Sequence, residues 1–460
     1  MTSGISPSTA NARFQFPIIA DLRTIDLNNP VQDVTAKLCE LGSGILEQPF
    51  GKQPVIFLSD AGLVEEVNDE TRWQKHIGPS LNRLRSILGD GMFTASNNEP
   101  NWSKAHNILR PLFTKSGMKR YHDDMIAVIH ELLDTWNKKA AVRSSIAVPA
   151  EANRLTLEII GRAGMGHSFS KRRHRYLEDS FVDMLQRELA YADRQTADIP
   201  MERKAKHEAD RAAMRLEVTR IIDGRRNAAP GSRDDLLDAL LEDADPDTSE
   251  QLDRDNIINQ ILTLLVVGSD TSANAIAFAL HFLATNPDVA ARARCELDQY
   301  WPDRAFPNIG FDDVAQLKYL RCIVDETLRL WPAAPGYFRQ ARQDTTIGNG
   351  KHCFRAGEWV FVHLIAAHRG AAWGPDANEF RPERFLPENL RKLPARTYKP
   401  FGTGPRACLG RQFAIHEILL TLAAVLHQYD LKPRPGYCLS ASEAMTLKPV
   451  DLYLSLQRRI

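Results

Sequence analysis

One helical pattern sets the scale of whatever this sequence builds. It begins near Asp255, a good N-cap, and continues to Asn286, where Pro287 stops it. At about 1.5 Å per residue such a helix runs roughly 45 Å, enough to cross a whole domain. Its most apolar stretch, Ile257 to Gly268, contains Asn259 and Gln260 and is about 12 residues long, short of the roughly 20 that a bilayer span needs. The pattern therefore predicts a buried axis around which other elements must pack.

Most of the remaining chain also reads as helix. Strand signals are local: Pro54-Val-Ile-Phe-Leu58, then Thr345-Thr-Ile347, the turn Gly348-Asn349-Gly350 and Glu358-Trp-Val-Phe-Val-His-Leu364, which suggest a small sheet. The acidic segment from Asp234 to Asp255, with Pro246 inside it, reads as a solvated loop between helices. With no internal repeat and no low-complexity linker, residues 1–460 are expected to form one mainly α domain with a minor β region.

Composition narrows the function classes. Lys plus Arg equals Asp plus Glu at 58 each, so no charge excess invites nucleic acid or an anionic membrane. The segment Met1 to Phe16 has neither an apolar core nor a basic lead-in, which predicts no signal peptide and no membrane anchor. Cys39, Cys295, Cys322, Cys353, Cys408 and Cys438 are scattered without a CxxC pair, which fits a reducing cytosol and a cytoplasmic protein.

Chemistry concentrates near the C-terminus, in Phe401-Gly-Thr-Gly-Pro-Arg-Ala-Cys-Leu-Gly410 followed by a helical run from Arg411. Glycines such as Gly402 and Gly410 let the backbone turn tightly and aim amide N–H groups at the Cys408 sulfur. The positive end of the following helix and the charge of Arg406 both favour thiolate over thiol, the form that ligates a metal. Taken alone, the same residues also describe an inert cysteine in a Gly-rich turn.

Three further groups stand out. Glu326-Thr-Leu-Arg329 places two charges on one helix face at i, i+3, an arrangement that is commonly a surface ion pair. Inside the long helix, Val267-Gly268-Ser269-Asp270-Thr271 puts a glycine and an acid–alcohol pair where apolar residues are expected; a local kink is the simpler reading. Asn101-Trp102-Ser-Lys-Ala-His106 alone reads as part of an amphipathic helix at a core edge.

The Cys408 loop carries the whole FxxGxRxCxG pattern, and the order of Glu326–Arg329, then Phe380-Arg-Pro-Glu-Arg-Phe385, then the loop resembles the cytochrome P450 family. That resemblance implies a mainly helical P450 fold holding heme b, with Cys408 as axial ligand and Phe401, Gly402, Arg406 and Gly410 around the cofactor. It implies a buried structural network of Glu326, Arg329 and Arg384. Gly268 would make room for O2, and Asp270 with Thr271 would manage protons; Val267 stands where the family usually has alanine. Trp102 would bind a heme propionate together with His106, which replaces the usual arginine. Lys75 joins them if the fold brings it inward.

Gly89-Asp-Gly-Met-Phe-Thr94, Ala105-His-Asn-Ile-Leu109, Arg329-Leu-Trp-Pro332 and Phe413-Ala-Ile-His-Glu417 look like the heme domain of the bacterial flavocytochrome fatty-acid hydroxylases, over about Asn28 to Pro449. Those enzymes carry their own reductase. This sequence ends at Ile460, so electrons from NAD(P)H are expected through a separate partner, a ferredoxin with its reductase or a flavodoxin-type reductase, unless the chain is cut from a fusion. By this resemblance Phe93, Val267, Ala334 and Met445 line the substrate pocket, and residues 169–226 form lid helices. Gln53 and Phe57 stand where an arginine and a tyrosine hold the fatty-acid carboxylate, with Lys52 adjacent. The loss of that guanidinium favours oxidation of a lipophilic specialised metabolite over fatty-acid hydroxylation. A peroxide-using enzyme and a non-catalytic heme-thiolate sensor are the other readings.

Overall fold

In the computed structural model, the described residues are 26, 29–48, 54–169, 180–193, 200–227, 233–303, 309–394, 396–443 and 445–459. Seven helices place the chemistry: α1 (Asn101–Leu109), α2 (Val148–Met165), α3 (Phe181–Asp193), α4 (Met201–Arg226), α5 (Arg254–Thr285), α6 (Lys318–Leu330) and α7 (Arg411–Gln428). The 32-residue α5 is the expected axis. It packs most extensively on α2 and crosses α7 and α6. Apolar residues from these helices merge into one core, in which Ile261, Leu265, Ala273, Ile276, Leu320, Ile323, Leu422 and Leu426 are almost fully buried.

One boundary detail differs from the sequence reading. The N-cap of α5 is Asp253, whose side chain accepts the Asn256 N–H at 2.8 Å, while Asp255 sits inside the first turn. Both acids suit a helix start, and the one three residues before a free N–H takes the cap. At the other end Asn286 caps α5 and Pro287 opens the next helix, where a missing N–H costs nothing. By length and composition α5 could cross a bilayer, with an apolar window longer than the sequence stretch suggested, but most of that window is buried against other helices.

The acidic segment is not only loop. Leu236–Glu242 is helical, capped by Asp235 through the N–H groups of Leu237 and Asp238, and it buries Leu236, Leu237 and Leu240. Arg225 neutralises Asp235 at 2.8 Å and also meets Asp238, so the charges that suggested solvent serve a buried ion cluster. The leucine spacing outweighs the charge count.

The β region holds a five-stranded sheet of β1 (Ile45–Gln48), β2 (Val55–Leu58), β3 (Trp73–His76), β4 (Gly336–Ala341) and β5 (Trp359–His363), in the order β1-β2-β5-β4-β3. Only the β2–β5 pair is parallel. The Thr345–Ile347 strand pairs with His352–Phe354 as a separate hairpin, its turn made by Gly348, Asn349 and Gly350, all at positive φ. A second small hairpin, β6 (Ala441–Glu443) and β7 (Leu447–Pro449), lies against α5.

Candidate heme site

The cysteine loop is shaped by its glycines. Gly402 and Gly404 lie at φ +68° and +70°, and a Cβ on Gly404 would stand 2.7 Å from Glu70 Oε1. Phe401 O accepts the Cys408 N–H at 2.9 Å and closes the loop just before α7. Cys408 is exposed to a cavity of about 550 Å³ bounded in part by His106, Arg110, Phe113 and Pro405, while protein atoms crowd the sulfur on its other sides. Burial pushes the thiol up, while the Gly410 N–H and the Arg411 charge pull the other way. The charge beside the sulfur is therefore Arg411, not Arg406.

Arg406 points elsewhere. Its guanidinium donates to Ala95 O at 3.2 Å and Ser96 O at 3.3 Å, and lies 3.9 Å over the Trp102 ring. Trp102 stacks on His106 one helical turn later, with ring centroids 5.2 Å apart on α1. Lys75, on β3, is carried inward: its ammonium donates to Phe93 O, and burial with the charges of Arg406 and Arg85 pushes it down to about 7. Asn97 ties the two cations together, donating to Lys75 O at 2.7 Å and accepting from Arg406 at 3.4 Å.

Among the described residues neither Lys75 nor Arg406 meets a carboxylate at ion-pair distance, and the nearby Glu99 is engaged by Arg85 at 2.6 Å. Two screened cations without an anion, next to an indole and an imidazole, fit a pair of heme propionates. Lys75→Met is expected to speed heme loss about tenfold, the loss of one charge-assisted hydrogen bond, measured by transfer of heme to an excess apo-acceptor.

Behind the loop the expected network is complete. Glu326 and Arg329 are fully buried on α6 and joined by two hydrogen bonds of 2.6 and 2.8 Å. Arg329 also donates to the carbonyls of His368, Ala377 and Glu379. Arg384 stands 3.4 Å from Glu326 and donates to Trp373 O at 2.9 Å. His368 carries the restraint onward: its Nε2 accepts the Lys399 N–H at 3.1 Å, and Lys399 O accepts the Gly402 N–H at 3.0 Å. Burial and the Arg329 charge push His368 down to about 3, so its ring stays neutral and can accept.

Above the loop, α5 passes Gly268 without a break. A Cβ there would find only Ile160 Cγ1 at 3.8 Å, so the helix surface is open beside it. The acid–alcohol pair is not joined: Thr271 donates to its own helix at Val267 O, 2.9 Å, while the buried Asp270 is held by Thr446, Asn274 and Gln186. Phe93, Val267 and Met445 pack half-buried on the main core, whereas Ala334 is exposed and outside that cluster. Phe57 is in β2 with its ring on Phe361 at 5.8 Å; Gln53 and Lys52 lie outside the described residues. Sequence reasoning missed Arg411, Asn97, His368, Gln186, Thr446 and Lys448. Only Asn274, one turn from Asp270, gave a periodic signal.

A cysteine facing a cavity from a glycine-shaped loop, with two cations that meet no described carboxylate gathered near Trp102 and His106, suits a thiolate-ligated heme protein. The cytochrome P450 family model matches residues 13–454, and the chain belongs to that family. It is 36% identical over 96% of its length to the bifunctional cytochrome P450/NADPH–P450 reductase of Bacillus cereus, and 37% identical over 96% to reductase 1 of that description from Bacillus subtilis. It spans 41% and 42% of those relatives. The crystal structure of a cytochrome P450, CYP102L1, superposes with a TM-score of 0.90 at 53% identity, covering 96% of this chain and 100% of that one. The family and these homologues are monooxygenases that use heme b and O2.

Proposed function

We propose that this chain is the oxygenating unit of a monooxygenase that hydroxylates a long-chain fatty acid, with electrons from NAD(P)H delivered by a reductase. The observation that carries the oxygenase reading is Cys408 on a cavity that His106 also lines, with His106 stacked on Trp102 and the Arg406 guanidinium over that indole. The substrate reading rests on the whole-chain likeness to the reductase-fused P450 heme domains, and it displaces the specialised metabolite favoured by the loss of an anchor at Gln53. That position lies outside the described residues, so the missing guanidinium has no structural weight.

Heme, when bound, supplies the reductive activation of O2. The chain's own residues do the rest. Cys408 offers the thiolate, and Arg411 with the Gly410 N–H stabilises it. Lys75, Arg406, Trp102 and His106 would hold the propionates. Phe93, Val267 and Met445 present apolar surface that keeps water from the reacting carbon. Gly268 leaves space beside α5, and Asp270 with Thr271 delivers protons there.

A spectral titration of the ferric holoenzyme with a long-chain fatty acid tests the substrate class. The expected result is a saturable low-spin to high-spin conversion at micromolar ligand, as substrate displaces the iron-bound water. Absence of any conversion, in protein whose reduced carbon monoxide spectrum shows an intact thiolate, would move the assignment to another lipophilic class.

A further inference from the structure

Asp270 lies where α5, α3 and the β6–β7 hairpin meet, and it is 3% exposed. Its Oδ2 accepts from Thr446 Oγ1 at 2.5 Å and from Asn274 Nδ2 at 3.1 Å, and Asn274 Nδ2 also reaches Thr446 Oγ1 at 3.1 Å. Its Oδ1 accepts from Gln186 Nε2 at 3.4 Å. Gln186, on α3, is gripped in turn: its Oε1 accepts from Lys448 Nζ at 2.7 Å, and its Nε2 donates to Asn153 Oδ1 on α2 at 3.3 Å. Lys448 is on β7. Burial pushes its ammonium down, and the Asp270 charge opposes that shift.

A neutral amide thus stands between a screened cation and a buried carboxylate. A direct lysine–carboxylate pair in such surroundings would hold the acid tightly. The amide spacer lets the cation favour the ionised acid while leaving one carboxylate oxygen on a long, weak bond. Of the three donors to Asp270, the one from α3 makes the longest contact and is the first to let go.

We infer that Gln186, held in place by Lys448, is a positioning residue for Asp270, fixing the carboxylate's orientation and so the timing of proton delivery to the groove beside Gly268. The inference rests on the proton role given to Asp270 under the proposed function. Oxygenation of one C–H bond consumes O2, two electrons from NADPH and two protons, and yields the alcohol and water. The amide of Gln186 transfers no proton itself. Misplaced, Asp270 delivers late, and the electrons leave as hydrogen peroxide.

The test compares Gln186→Leu, Lys448→Met and Asp270→Asn holoenzymes with the unchanged protein, using NADPH, a surrogate ferredoxin and its reductase, and a fatty acid that gives the spin shift. In the two positioning variants the ratio of peroxide to product should rise about tenfold, the usual scale for loss of a supporting hydrogen bond behind a functional group. The rise should be larger in Asp270→Asn. Turnover driven by added hydrogen peroxide, which brings its protons with its oxygen, should be unchanged in Gln186→Leu and Lys448→Met, as should substrate affinity.

A second readout needs no turnover. Coupling between sites is reciprocal, so Asp270→Asn should lower the hydrogen-exchange protection of the 181–193 amides as Gln186→Leu does. Uncoupling in Asp270→Asn alone would overturn the role of Gln186 and leave Asp270 assigned. No uncoupling in Asp270→Asn would remove the assignment of Asp270 and the inference with it. Equal losses of peroxide-driven turnover and substrate affinity would make Gln186 a packing residue and overturn the proposal. Should Gln186→Leu not fold, Lys448→Met carries the same comparison.

Discussion

Cys408→Ser is expected to abolish monooxygenation while leaving the protein folded. Serine keeps the shape of the loop, because Gly402 and Gly404 and the Cys408 N–H bond to Phe401 O set the backbone without help from the sulfur. What it removes is the electron-rich thiolate opposite the oxygen site, which favours O–O cleavage. The reduced, carbon monoxide-bound variant should lose the thiolate-type Soret band although heme remains held at Lys75, Arg406, Trp102 and His106. Retention of that band would mean that another residue ligates the iron and would overturn the assignment. A far-ultraviolet circular dichroism spectrum matching that of the unchanged protein guards against loss of fold as the cause.

Arg329→Met is expected to destabilise the chain by about 3–5 kcal/mol, the scale for stranding one partner of a buried ion pair. Five hydrogen bonds from one guanidinium disappear, three of them to backbone carbonyls, of which those to His368 and Ala377 are buried. Burial already raises the Glu326 carboxyl, and the Arg329 charge is the largest force opposing it. Without Arg329 the folded protein keeps a proton on Glu326 that the unfolded chain releases, so the loss should grow as pH rises above the ordinary carboxylate range. Denaturant titration at two pH values measures this. Glu326→Gln added to Arg329→Met should recover part of the loss at the higher pH, and equal losses at both values would contradict the account.

Much of the site was legible because its determinants are local. The Cys408 loop, the Glu326–Arg329 spacing and the Gly268–Thr271 segment each sit within ten consecutive residues, and the Glu326–Arg329 pair forms as its spacing predicts. Long-range placement was not legible. Lys75 read more readily as a surface lysine than as a heme contact, and the β3–β4 pairing brings it near Arg406. Arg406 was credited with stabilising the thiolate because it is two residues away; the Gly404–Arg406 turn sends it to Trp102, and Arg411 takes that role. Two of the three partners of Asp270 come from positions 84 and 176 residues away, where no periodicity connects them. Charge also misled at Asp235 and Asp238, whose countercharge Arg225 is on another helix.

Arg329 and Arg384 grip the segment 368–379 almost wholly by its peptide groups. Their partners are carbonyls of His368, Trp373, Asp376, Ala377 and Glu379, with the Asp376 carboxylate at 2.9 Å from Arg384 and the Trp373 ring under Arg329, so what the two guanidinium groups read is mainly the path of the chain. Side chains that point outward there, at Ala371, Ala372 and Asn378, are exposed and open to exchange. Adding or deleting a single residue is another matter, because it moves every later carbonyl out of register at once. For anyone diversifying this protein, the exposed positions of the stretch are permissive to substitution, and the stretch is closed to changes in length.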